Sequence, residues 1–106
     1  MNARFNVTWE RINEREACAG DTDRRGMLGT GLGLRDALQT VRNEPPSMSE
    51  SRGTYASASR HECARWVSAQ FECWESGDTL TLSVHFPESV TSASRARLCR
   101  FLARAL

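Results

Sequence analysis

From Arg4 to Arg11 the chain alternates: Phe5, Val7 and Trp9 point one way, Asn6, Thr8 and Glu10 the other. That period of two predicts a half-buried strand. Asn13 and Glu16 have the spacing of a capping box, which predicts a short helix from about Glu14 with Gly20 as its stop. Residues 20–33, rich in glycine and aspartate, read as an irregular connection. Leu34, Ala37, Leu38 and Val41 then fall on one face of a helix, which Pro45-Pro46 should end near Asn43. Residues 43–61 carry few large apolar groups and many serines, arginines and prolines, the composition of a long exposed loop.

A hairpin follows. Val67, Ala69, Phe71 and Cys73 share one face of a strand, and Leu80, Leu82, Val84 and Phe86 share one face of the next. Glu75–Asp78 has turn composition between them. A four-residue loop there places Trp74 opposite Thr79 and Gln70 opposite Ser83, with both apolar sets on one side. Beyond Pro87, Thr91 or Ser92 can cap a last helix whose buried stripe is Leu98, Phe101, Leu102 and Ala105, with Arg97, Arg100 and Arg104 opposite. The predicted fold is a single α+β domain over residues 1–106 in the order β-α-α-β-β-α. A small antiparallel sheet of about three strands would carry its helices on one face.

Composition narrows the chemistry. The chain has 106 residues, and its 14 basic against 13 acidic residues give a net charge of +1. Such a balance produces no strong overall field and no acidic imitation of DNA. Every basic residue is arginine, which excludes phosphate-loop, Schiff-base and kinase-type lysines. The N-terminus lacks the apolar run of a signal peptide, and no apolar stretch approaches bilayer length, so the expectation is a soluble, cytoplasmic protein. In that compartment Cys18, Cys63, Cys73 and Cys99 are expected to be free thiols, mostly buried.

Candidate active sites fail on their own geometry. The run Gly26-Met-Leu-Gly29-Thr-Gly31-Leu-Gly33 lacks the preceding strand and the lysine of a phosphate loop. Asp21 and Asp23 open like a calcium loop, but Arg25 and Leu32 stand where further ligands belong. His61, Cys63 and Cys73, with His85 or Cys99, lack the closely spaced pairs of a structural zinc site. His85 lies near Ser68 in the predicted register, without a third member and on an outward face with no pocket. The expectation is therefore a protein that is not an enzyme, with no cofactor and no metal.

What remains is surface. The outward face of the hairpin carries Trp66, Trp74 and His85, and exposed tryptophans anchor protein interfaces, unless a loop or helix covers them. Arg97, Arg100 and Arg104 form a row suited to phosphates or an acidic partner, or simply to solvent. These six residues are the candidate partner-binding set.

Several segments resemble a group of short, uncharacterised proteins encoded on prophages, plasmids and genomic islands of GC-rich proteobacteria. They are Val7-Thr-Trp-Glu10, Gly20-Asp21 with Arg25-Gly26, Leu34-Arg-Asp-Ala-Leu38, Ala64-Arg-Trp66, Ser83-Val-His-Phe-Pro87 and Ser94-Arg-Ala-Arg97. The likeness spans most of the chain except residues 43–61. It departs at Asn13-Glu-Arg-Glu16, where such proteins start a helix with a proline-led acidic turn. The resemblance implies an accessory protein of a mobile element that binds and blocks a host defence complex, with anti-CRISPR inhibition of a Cas effector as the leading instance. The alternative is a nucleic-acid-binding accessory factor using the arginine helix and Arg24-Arg25. Pairing of two copies through a free sheet edge stays open.

Overall fold

The computed structural model describes residues 4–13 and 24–106. The helix expected from Glu14 and the pair Asp21 and Asp23 lie outside the described residues. The alternating opening segment is strand β1 (Phe5–Asn13), followed by β2 (Arg24–Leu32), α1 (Leu34–Arg52), β3 (Tyr55–Glu62), β4 (Trp66–Cys73), β5 (Asp78–His85) and α2 (Ser92–Ala105). The strands form one antiparallel sheet in the order β2-β1-β5-β4-β3. The α+β class is as expected, but five strands replace three and the described order is ββαβββα.

Two segments read as irregular are regular. Residues 24–32 are a strand despite three internal glycines, because two of them make room for large neighbours. A Cβ at Gly26 would lie 2.7 Å from the Trp9 indole Nε1, and one at Gly29 would lie 2.6 Å from Leu32 Cδ1. The pairing slips twice, between Phe5 and Val7 and between Val7 and Thr8, which the glycines accommodate.

The expected loop at 43–61 is instead the second half of α1 and most of β3. The path of the chain explains why the helix passes Pro45 and Pro46. It leaves β2 at one edge of the sheet and enters β3 at the other, and four inter-strand spacings amount to about 19 Å. A helix stopping at Asn43 would reach only about 15 Å, whereas one running to Arg52 reaches about 28 Å. Contacts beyond the prolines offset their cost: Ser49 Oγ donates to the Pro45 carbonyl at 2.7 Å, Met48 packs on the core, and Arg52 binds Asp78. The helix stops at Gly53, where φ is 111° and a Cβ would sit 2.9 Å from Glu75 Cβ.

Phe5, Val7, Val67, Leu80, Leu82 and Val84 alternate onto one face and pack with Ala37, Leu38 and Val41 of α1 and Leu102 of α2 in one core. The β4–β5 hairpin preserves the predicted faces with its register slipped by two. Its loop is Trp74–Gly77, closed by the Gly77 N–H donating to the Cys73 carbonyl at 2.9 Å. Gln70 consequently faces Thr81, not Ser83, and Glu72 takes the place opposite Thr79 expected for Trp74. In α2 the Thr91 hydroxyl accepts from the Ser94 N–H at 3.2 Å, the expected cap. The buried stripe is Leu98, Cys99 and Leu102, whereas Phe101 is 49 % exposed. The rotation that seats Cys99 over the Cys63 carbonyl, at 3.6 Å, turns Phe101 outward.

The inward parity also carries charge. Asp78 begins β5 with a fully buried carboxylate. It accepts from Arg11 Nη1 at 3.2 Å, Arg52 Nε at 2.7 Å and Nη2 at 2.8 Å, Tyr55 Oη at 2.6 Å, and Asn13 Nδ2. Those donors come from β1, the last turn of α1 and the first residue of β3, so one side chain ties four elements. Burial alone would raise the Asp78 carboxyl, but bonds from Arg52, Asn13 and Tyr55 outweigh it and hold the group far below its ordinary range. Burial first, then the bond to Asp78, pushes the Tyr55 hydroxyl up.

Replacing Asp78 by Asn removes the carboxylate that pairs with Arg11 and Arg52 and should cost about 3–5 kcal/mol in urea unfolding at pH 7. Because the folded-state value is lowered, the stabilisation by Asp78 is full above its ordinary value of 3.8 and drains as pH falls toward the folded value. The wild type should therefore lose stability below about pH 4 more steeply than the Asn variant. Parallel slopes would remove Asp78 as the cause.

Candidate functional site

The alternation that buries one face of the sheet defines the other. Both helices pack against the core face, and among the described residues no helix covers the opposite one. Thr8 of β1, Met27 of β2, Thr81 and Ser83 of β5, and Trp66 lie along a shallow groove of about 430 Å³ across that open face. Met27 is 54 % exposed and Ile12 of β1 is 39 % exposed, both at outward positions. The open face is thus mostly small and polar, with isolated large apolar side chains.

Trp66 and His85 sit at its end. They are direct partners across β4 and β5, so His85 faces Trp66 and not Ser68, a consequence of the two-residue slip. Their ring centroids are 6.0 Å apart at 45°. His85 Nε2 and Thr8 Oγ1 lie 2.8 Å apart, which fixes the imidazole from the neighbouring strand. Both rings are partly buried. Burial pushes the His85 imidazole below its ordinary value of 6.5, favouring the neutral ring.

The six candidate residues do not form one surface. Trp74 occupies the β4–β5 loop, not the strand face, and is 86 % exposed. Arg97, Arg100 and Arg104 are exposed on α2, on the helix side of the sheet, with the half-exposed Phe101 among them. Trp66 and His85 remain together on the open face. Met27 was missed because its strand lacks alternation, and its glycines hid the outward position that pairs it with Thr8.

Other chemistry is sparse. Cys73 is buried while Cys63 and Cys99 are partly exposed. Burial, together with Glu62 and Cys63, pushes the Cys99 thiol up, away from the reactive thiolate. Among the described residues no three metal-type side chains converge, and no helix is long and apolar enough to cross a membrane. The two edge strands are β2 and β3.

The architecture is a helix-backed antiparallel sheet with one open face, and its most distinctive surface group is the Trp66–His85 pair. No protein family, characterised protein or solved structure matches the chain.

Protonation of an imidazole beside an indole quenches the indole's fluorescence, so Trp66 should report on His85. Emission should fall on acidification with a midpoint below 6.5, the sign set by burial of His85. Trp66→Phe and His85→Gln should each remove the transition, and a midpoint at or above 6.5 would contradict the assignment. Replacing Trp74 by Ser should change unfolding free energy by no more than about 0.5 kcal/mol, as expected for so exposed a side chain.

Proposed function

We propose that this chain is a stoichiometric binding protein that lays the open face of its sheet against a larger protein assembly. The observation that carries this reading is that face itself: five strands wide, bare of helices among the described residues, with Met27 and Ile12 standing out of it. A flat, largely neutral surface with a few apolar anchors suits protein partners better than a polyanion. The resemblance to proteins of prophages, plasmids and genomic islands supplies the partner class. The assembly is a host defence complex, with a CRISPR effector as the leading instance, and the protein acts by occlusion and not by catalysis.

One observation favours a second reading. Phe101 is exposed among Arg97, Arg100 and Arg104, an aromatic set within guanidinium groups as in single-strand nucleic-acid binders. A gel shift that weakens steeply with added salt and disappears in Arg100→Gln would favour it.

The first reading predicts that expression restores phage plating only on hosts with an active CRISPR system. Met27→Asp on the open face should abolish that rescue and reduce capture of the effector at least tenfold, whereas Arg104→Gln should do neither. Equal plating in hosts with and without the system, or rescue unaffected by Met27→Asp, would overturn it.

A further inference from the structure

At the end of the open face, adjoining the groove through Trp66 and His85, lies a cavity of about 450 Å³ also walled by Arg65, Pro87, Glu88 and Arg95. Its volume falls within the range of about 300–1,000 Å³ typical of small-molecule sites, and its lining is more polar than apolar, with charged groups beside the aromatic rings of Trp66, His85 and Phe86. The elements bring these residues together from three places: the β3–β4 turn, the end of β5 with its following segment, and the first turn of α2. The Phe86 N–H donates to the Arg65 carbonyl at 2.8 Å and so fixes two of these segments against each other.

The charged groups there are not paired with one another. Among the described residues neither Arg65, Arg95 nor Glu88 has an ion pair or a side-chain hydrogen bond. Arg95 also holds its Nε buried without an acceptor. A guanidinium with a buried orphan donor is costly in the empty protein, and an anion on its remaining N–H groups would offset part of that cost. The cavity thus offers two unpaired guanidinium groups, an unpaired carboxylate and an indole, beside an imidazole fixed by Thr8.

We infer that this cavity binds a purine nucleoside monophosphate, with Arg65 and Arg95 taking the phosphate, Trp66 stacking on the base and Glu88 accepting from the base's N–H groups. Two guanidinium groups match the charge of a phosphate monoester, about −1.5 to −2 at pH 7. An indole in the wall calls for a planar ring, which inorganic phosphate lacks. A carboxylate beside two arginines repels a bare anion but rewards a ring bearing N–H donors, as guanine does. The ligand is either a free nucleotide or the 5′-phosphorylated end of a strand, since both present the same groups. Arg65 and Arg95 distinguish the proposal from the partner reading, because they line this cavity and not the groove beside Met27, whereas Trp66 and His85 line both.

The test is calorimetric titration of the full-length protein with GMP, guanosine, inorganic phosphate, and a short single-stranded oligonucleotide with and without its 5′-phosphate. GMP should bind saturably, with guanosine and phosphate at least tenfold weaker. Arg65→Gln, on an exposed side chain whose loss should not disturb folding, should weaken GMP about tenfold, as should Arg95→Gln and Trp66→Ala. Arg104→Gln and Met27→Asp should leave GMP binding within twofold. Oligonucleotide binding that matches GMP and vanishes with the 5′-phosphate identifies a strand end, and binding of GMP alone identifies the free nucleotide. No saturable binding by GMP or the phosphorylated oligonucleotide, or binding unchanged in Arg65→Gln and Arg95→Gln, overturns the proposal. Absence of GMP binding by the unmutated protein, with effector capture intact, would sink this site and spare the partner reading.

Discussion

A buried carboxylate with no counter-charge is among the most expensive things a small domain can contain, and here the fold is arranged around preventing it. Asp78 opens β5 on the inward side, and donors from β1, the end of α1 and the start of β3 reach its two oxygens. No one of those segments could supply all of them. The ring of donors therefore forms only when the hairpin, the crossing helix and both flanking strands are in register. Its value lies in specificity: replacing such a network by apolar groups is often neutral for stability, but a misregistered chain would bury Asp78 unpaired. Through Arg52 that constraint also ties the end of α1 to the core face of the sheet.

The parts of this architecture that follow from side-chain alternation were legible. β1, β4 and β5 announce themselves by period two, and the capping threonine marks the start of α2. What was hidden depends on distant contacts. Glycines in β2 look like a flexible connection until Trp9 is found over Gly26. Prolines in α1 look like a stop until the width of the sheet is known. Tyr55 and Arg52 lay in what read as a polar loop, although both are partners of Asp78. One signal was available in the alternation itself: Arg11 and Asn13 continue the inward set of β1, and Asp78 precedes that of β5. Opposite charges on inward positions of two strands imply that the strands pair, and they do.

The candidate site was legible in part. Trp66 and His85 were expected on one outward face, and parity alone put them there, since a slip of two residues changes partners without changing faces. Trp74 depended on where the loop began, and a shift of one residue moved it from the strand to the tip. The arginine row of α2 was correctly exposed, but the packing of the helices on the opposite side separates it from the tryptophan. The Arg65–Arg95 cavity joins a turn to a helix thirty positions away in sequence, and no local pattern could reveal it.

The central claim is that one carboxylate couples elements that are separate in the chain, and a double-mutant cycle between Asn13→Ala and Tyr55→Phe measures that coupling directly. These side chains belong to different strands and meet at the oxygens of Asp78. If the carboxylate is the shared constraint, the free-energy changes on urea unfolding should depart from additivity by about 0.5–3 kcal/mol. Additivity within about 0.3 kcal/mol would mean that each residue acts alone and that Asp78 does not organise the fold.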